Sequence, residues 1–126
     1  MVDALARDLR KLLEGHVVAA GLFGSFPLGR AGPASDIDLF VLVGTRREYE
    51  YVTGLLADQL SPLTERYGLP VQPVVFETRA LTSGRAGMQA LVESARSGWV
   101  TVAGRDIGDV VRDLAAHRRA ERRKAS

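Results

Sequence analysis

Residues 22–43 read LFGSFPLGRAGPASDIDLFVLV, and the rest of the chain is organised around this stretch. An apolar approach is followed by Gly24-Ser25, by a loop rich in glycine and proline, and by Asp36-Ile37-Asp38. The run LFVLV after Asp38 is β-branched and aromatic, and so it predicts a strand rather than a helix that Asp36 would cap. Because side chains alternate between the two faces of a strand, Asp36 and Asp38 should project side by side.

Two carboxylates held this close repel each other unless a divalent cation lies between them. Ligation by oxygen alone suits Mg²⁺. The glycine-serine turn one loop earlier offers backbone N–H groups and a hydroxyl to phosphate. Neither Gly-Ser nor Asp-x-Asp is specific alone, but the combination, with strands before and after it, predicts a metal-nucleotide site.

The composition is that of an ordinary globular protein, with 46% apolar and 25% charged residues among 126. This length predicts one domain over residues 1–126. The absence of cysteine excludes disulfides, thiolate catalysis and thiolate-bound zinc. The first fifteen residues have no apolar core typical of a signal peptide, and no apolar run approaches the roughly 18 residues of a membrane span. We therefore expect a cytoplasmic protein with no membrane association.

The formal charge of +2 comes from the C-terminal end of the chain. Residues 117–126 contain four arginines and one lysine against a single glutamate, so the remainder is slightly acidic. Such a basic tail is compatible with contact to RNA, an acidic partner or a phosphate. We favour the alternative, a solvated helix end whose cations suit the helix dipole.

Hydrophobic periodicity predicts alternating helices and strands along the chain. Helices are predicted over 2–14, 46–67, 80–98 and from 106 onward. Strands are predicted over 16–23, from 36 or 37 to 43, over 69–76 and over 99–103. Asp3 is a candidate N-cap, and Gly15 and Gly68 are predicted helix ends. Pro62 should kink the second helix or separate its last turn, and Pro73 indicates an edge strand or a bulge. This order predicts a small α/β or α+β sheet with helices packed on one face.

The stretch LFGSFPLGRAGPASDIDLFVL resembles the signature of the polymerase-β-like nucleotidyltransferase superfamily. Gly-Ser, ten residues and Asp-x-Asp is most similar to its minimal nucleotidyltransferases. The resemblance is strong over about residues 17–43 and weaker through the third strand and the segment VESARSGWVTVAGRD. It implies the nucleotidyltransferase fold, a mixed sheet with helices on one face. It also implies Mg²⁺-dependent transfer of a nucleoside monophosphate, such as AMP from ATP, to an acceptor hydroxyl.

Position by position, the resemblance assigns the β- and γ-phosphates to Gly24 and Ser25 and the metal to Asp36 and Asp38. It also matches Gly29 in the loop. Two family positions that often carry arginine are Phe26 and Leu28 here, so Arg30 is a candidate for meeting the phosphate charge. The position that usually supplies a third carboxylate is Gln72, whose neutral amide is a weaker metal ligand and no general base. Glu77 lies at an odd offset and would reach the same face only through a bulge at Pro73.

Family members this short lack an acceptor-binding domain, which implies that the acceptor arrives on a partner protein. The resemblance implies an antitoxin that adenylylates a Tyr, Ser or Thr of a HEPN-domain ribonuclease toxin. Gln72 favours a rival from another class, a binding module that neutralises its partner without transfer. Modification of a small molecule or an RNA end is a third alternative.

Overall fold

The computed structural model describes residues 2–23, 37–68, 70–83, 99–114 and 116. Its helices are α1 (Val2–Leu13), α2 (Arg46–Tyr67), α3 (Thr78–Ser83) and α4 (residues 107–114). Its strands are β1 (Ala19–Phe23), β2 (Ile37–Val43), β3 (Val71–Glu77) and β4 (Val100–Gly104). The predicted helix over 80–98 lies largely outside the described residues, and the basic tail over 117–126 lies wholly outside them.

The four strands form one mixed sheet in the order β3-β2-β1-β4. β1 pairs with both β2 and β4 in antiparallel fashion, whereas β2 pairs with β3 in parallel. The parallel pair is possible because α2 carries the chain from the end of β2 back to the start of β3. A mixed sheet with helices, the predicted fold class, is confirmed.

One face of the sheet packs against α1 and α2 to form the larger core cluster. Leucines at helical spacing in α1 are wholly buried there, namely Leu5, Leu9 and Leu13. They meet the odd-numbered side chains of β2 and residues Val52 and Leu56 of α2. The i, i+4 spacing gives α1 a continuous apolar face, which explains why this helix lies flat on the sheet.

The opposite face is covered in part by α4, an arrangement that the expectation of helices on one face did not include. Ile107 and Val110 of α4 pack with Phe40 and Leu42 in a second core cluster. Gly21 of β1 makes the close approach possible, because a Cβ at this position would lie 3.2 Å from Cγ1 of Ile107. The sheet is thus apolar on both faces around β1 and β2.

Helix α2 begins and ends as its sequence predicts. The Thr45 hydroxyl caps its start by accepting the Glu48 N–H at 3.1 Å, and Gly68 ends it in the left-handed region with φ 69°. Pro62 lies inside the helix, which continues to Tyr67, so the predicted separation of a last turn does not occur.

Two predicted element starts differ by a few residues from the structure. β1 begins at Ala19 rather than His16, because residues 14–16 form the turn that follows α1, with Gly15 at φ 88°. Asp3 lies in the first turn of α1 rather than at its N-cap, because the helix already begins at Val2. His16 instead contacts α2, where its Nδ1 lies 3.4 Å from a Glu48 carboxylate oxygen.

β3 is an edge strand, which confirms one of the two alternatives read from Pro73. The Ile37 N–H donates to the Pro70 carbonyl at 2.9 Å. Alternate residues of a parallel strand face the same neighbour, so Gln72 also faces β2 and Pro73 faces away from it. The missing N–H of Pro73 therefore removes no bond between β3 and β2. No register shift accompanies it.

No helix in the described ranges is long and apolar enough to cross a lipid bilayer.

Candidate functional site

Asp38 is the candidate metal ligand that lies within the described residues. It is the second residue of β2 and is exposed, whereas every other residue of that strand is buried. An exposed carboxylate at this point interrupts an otherwise apolar strand, and so it has no packing role. Asp36 comes two residues before it and lies outside the described residues, as do Gly24, Ser25, Gly29 and Arg30.

Asp38 lies between the end of β1 and the start of β3. Its register partner on one side is Phe23, the last residue of β1, from which the chain continues into Gly24 and Ser25. Its register partner on the other side is Gln72. Paired residues of adjacent strands lie about 4.8 Å apart and project from the same face. The Gln72 amide is therefore the nearest described neighbour of Asp38 on β3.

Glu77 does not share this location. β2 and β3 pair without a register shift from Ile37 with Val71 to Val43 with Glu77. Five residues of strand separate Glu77 from Gln72 by about 16 Å, and the odd offset puts the two side chains on opposite faces. The bulge that would have brought Glu77 to the face of Asp38 is absent from this pairing. One Glu77 carboxylate oxygen is buried without a hydrogen-bond partner.

Three phenylalanine rings lie behind Asp38 on the same face of the sheet. Phe40 is edge-on to Phe23, with ring centroids 6.0 Å apart, and stacks on Phe76 at 5.5 Å. Val74 lies between Gln72 and Phe76 on β3, is paired with Phe40 and is exposed. The alternation of side chains along β3 already indicates that Gln72, Val74 and Phe76 share one face. That this face lies beside Asp38 follows only from the parallel register of β2 and β3.

A hydrogen-bonded network of charged and polar side chains lies elsewhere, between α1 and α2. The Tyr67 hydroxyl donates to Asp8 at 2.5 Å, and the Arg66 guanidinium donates to the same carboxylate oxygen at 2.9 Å. The hydrogen bond from Tyr67, followed by the charge and the hydrogen bond of Arg66, lowers the pKa of Asp8 below its ordinary value. The same hydrogen bond raises the pKa of Tyr67. This network joins two helices and takes no part in the Asp38 site.

Two open grooves also lie away from Asp38. One, of about 310 Å³, runs between α1 and α2 beside Asp8 and Lys11. The other, of about 280 Å³, lies between α2 and the face of β3 that carries Pro73 and Val75. Within the described part of the chain, no three side chains of His, Asp or Glu come together as a metal cluster. The described residues thus supply one carboxylate and one amide of the candidate metal site.

Comparison with known proteins defines the class. Residues 2–80 match a family model described as a nucleotidyltransferase domain, which covers more than half of the chain. The chain therefore belongs to the nucleotidyltransferase domain family. β1, β2, α2 and β3 all lie within the matched residues, and so does every candidate site residue.

One solved structure has the same fold over almost its whole length. It is described as a crystal structure of the toxin-antitoxin with AMP-PNP. The TM-score is 0.50 at 19% identity, and the alignment covers 95% of this chain and 94% of that chain. At this identity the similarity shows the fold. No curated protein matches the sequence.

Proposed function

We propose that this protein is a Mg²⁺-dependent nucleotidyltransferase that transfers AMP from ATP to a hydroxyl group. The observation that carries the proposal is the exposed Asp38 at the start of β2, beside the end of β1, in a chain of the nucleotidyltransferase domain family. The signature around it, Gly24-Ser25 followed after ten residues by Asp36-Ile37-Asp38, has the spacing of the minimal nucleotidyltransferases that the chain resembles. The domain extends over residues 1–126 and includes the basic tail.

In the proposed reaction the acceptor oxygen forms a bond to the α-phosphorus of ATP. The bond from that phosphorus to the bridging oxygen of pyrophosphate breaks, and pyrophosphate leaves with the electron pair. The amide of Gln72 cannot act as a base. The hydroxyl proton therefore passes to solvent or to a base on the molecule that bears the acceptor hydroxyl. Gly24, Ser25 and Gly29 bind the phosphates through backbone and hydroxyl groups, and Arg30 adds positive charge.

In this proposal Asp36 and Asp38 would hold the Mg²⁺ ion. The described part of the site fits such an ion, because an exposed carboxylate and a neighbouring amide provide only oxygen ligands for it. When bound, Mg²⁺ neutralises charge on the phosphates. Gln72 would offer an uncharged oxygen at the third position, and Glu77 would not reach the ion because it projects from the other face.

We further propose that the acceptor belongs to a partner protein and that the protein acts as an antitoxin. The solved structure with the same fold is described as a toxin-antitoxin with AMP-PNP, which supports both an adenine nucleotide and a protein partner. A Tyr, Ser or Thr of a HEPN-domain toxin is the acceptor that we propose. A cytoplasmic location and RNA contact through residues 117–126 stay predictions.

Transfer of label from ATP tests the enzyme. The purified protein, Mg²⁺ and ATP labelled at the α-phosphate are incubated with candidate HEPN-domain toxins. We expect label on the toxin with the wild type and none with the double variant Asp36→Asn/Asp38→Asn. Asp58→Asn is the matched control, because Asp58 is an exposed aspartate of α2. If wild type and double variant are indistinguishable, the enzymatic function is wrong.

One observation favours a second function, a binding module that neutralises its partner by contact. Gln72 stands beside Asp38 where a carboxylate would strengthen metal binding. The two functions differ in the behaviour of the double variant. A binding module would neutralise the toxin equally well with Asn at positions 36 and 38, whereas a transferase would fail to do so.

A further inference from the structure

We propose that a row of β3 side chains seats the acceptor of the transfer reaction, and that Val74 selects an acceptor hydroxyl with apolar surroundings on a polypeptide. The row, called the acceptor strip below, consists of Gln72, Val74 and Phe76. The inference rests on the proposed nucleotidyltransferase function and adds to it the surface that seats the acceptor and the kind of residues that flank the acceptor hydroxyl.

The acceptor strip lies beside the candidate metal ligand. Gln72 is the register partner of Asp38, and Val74 is the register partner of Phe40. Residues two apart on a strand project from the same face, so the strip leads away from Asp38 on the face that Asp38 occupies. Val74 therefore lies one step along the strand from the Asp38–Gln72 pair.

Val74 is exposed to an extent that is unusual for this chain. It is 44% exposed, and Tyr51 is the other exposed large apolar residue in the described ranges. Val74 is not an isolated apolar residue, since Phe76 follows it on the same face and stacks on Phe40. Phe40 is itself only 6% exposed. The strip thus offers one accessible apolar side chain on a firmly packed aromatic base.

The direction of the reaction assigns this strip to the acceptor. β1 and β3 flank β2 on opposite sides, and the chain leaves β1 at Phe23 directly into Gly24. In the proposed function Gly24 and Ser25 bind the departing pyrophosphate, so the leaving group lies on the β1 side of Asp38. Phosphoryl transfer places the attacking oxygen roughly in line with the leaving oxygen and opposite to it. The acceptor accordingly approaches from the β3 side.

The chemistry of the strip defines the class of acceptor. Burying Val74 against an apolar group removes both from water, which is favourable. An RNA end would bring phosphates, which proteins bind with lysine and arginine, whereas the strip consists of an amide, a valine and a phenylalanine. A polypeptide hydroxyl with apolar neighbours matches the strip, and an RNA 3′ hydroxyl does not.

Transfer to defined probes tests the strip. The full chain, Mg²⁺ and labelled ATP are given synthetic peptides in which Tyr, Ser or Thr is flanked by leucines or by aspartates, and a short RNA with a free 3′ hydroxyl. We expect the wild type to modify leucine-flanked peptides in preference to the other probes. Val74→Asp should lower kcat/KM for these peptides about tenfold or more and leave the KM for ATP unchanged.

Two further variants keep the result interpretable. Val74→Thr preserves the shape and strand preference of valine and should reduce peptide transfer less than Val74→Asp. Tyr51→Ala removes the other exposed large apolar residue, on α2, and should leave transfer unchanged. Thermal unfolding of each variant shows whether it is folded.

The outcomes separate this inference from the function on which it rests. If the wild type transfers label to none of the probes and releases no pyrophosphate, the proposed function is wrong. If it modifies peptides and Val74→Asp does so equally well, or if RNA is the preferred acceptor, only the acceptor strip is wrong.

Discussion

Asp38 of β2 and Gln72 of β3 are register partners on adjacent parallel strands, so a carboxylate and a neutral amide share one face of the sheet. Because of this pairing, a substitution at Gln72 changes the charge of the candidate metal site next to Asp38. Gln72 is exposed and belongs to neither core cluster of the described residues.

Replacing Gln72 with Asp should strengthen metal binding. The variant adds a third carboxylate to the proposed site, on a backbone about 4.8 Å from that of Asp38, and carboxylates are stronger Mg²⁺ ligands than amides. We expect Mg²⁺ to raise the melting temperature of Gln72→Asp more than that of the wild type. Without Mg²⁺ the variant should melt lower, because the two carboxylates repel each other. Gln59→Glu on α2 is the control and should show no response to Mg²⁺ beyond that of the wild type. An equal response of Gln72→Asp and the wild type would contradict a metal site at Asp38.

Two glycine variants should change stability in opposite directions. Gly104 ends β4 at φ 73°, and a Cβ there would lie 2.3 Å from the Val18 carbonyl oxygen. Gly104→Ala should therefore lower the free energy of unfolding by more than about 2 kcal/mol. Gly54 lies inside α2 with no atom within 4 Å of its Cβ position, so Gly54→Ala should raise it by about 1 kcal/mol. Chemical denaturation measures both, and a loss of stability in Gly54→Ala would contradict the open space around α2.

The Asp8–Tyr67 hydrogen bond should make stability depend on pH at both extremes. The pKa of Asp8 is held below its ordinary value of 3.8, so its stabilising effect is complete above pH 3.8 and is lost as the pH falls through the lower folded-state value. The pKa of Tyr67 is raised above 10.0, so its contribution is complete below pH 10.0 and is lost as the pH rises through the higher value.

We therefore expect Asp8→Asn to melt below the wild type at neutral pH and to approach it in strong acid. Tyr67→Phe should likewise melt lower at neutral pH and approach the wild type in strong alkali. Thermal unfolding across the pH range measures both differences. Asp58→Asn, on the exposed face of α2, should show neither trend. Differences that are constant with pH would contradict the hydrogen bond.

Replacing Pro73 should promote self-association through the edge of the sheet. The backbone of Pro73 faces away from β2, so its missing N–H interrupts the hydrogen-bonding row that β3 presents to solvent. Pro73→Val restores a donor and adds a good strand former, which should increase association measured by light scattering. Pro70→Val, just before the strand, is the matched control and should leave the molar mass unchanged. A monomeric Pro73→Val at high concentration would contradict a protective role for the proline.

The elements themselves follow from local chemistry, which is why the sequence predicts them. The apolar run after Asp38 becomes β2, and Gly68 ends α2 where a left-handed residue is needed. Errors arise where neighbouring structure competes with a local pattern. The apolar residues before Ala19 follow the turn at Gly15, so β1 begins three residues later than predicted. Pro62 does not end α2, because the next residue, Leu63, is buried in the core and so favours continuation of the helix.

The sequence by itself determined the spacing of Gly24, Ser25, Asp36 and Asp38, because that spacing is a property of the chain. It also determined that one of two residues, Gln72 or Glu77, could stand third in the site. Only the tertiary structure decided which of the two lies beside Asp38, since the parallel pairing of β2 with β3 sets Gln72 next to Asp38 and puts Glu77 on the opposite face. Register is fixed by hydrogen bonds between strands that are distant in sequence and by the face that each strand buries. For the same reason, the position of the exposed Val74 next to the Asp38–Gln72 pair follows from the register of the sheet and not from the local sequence.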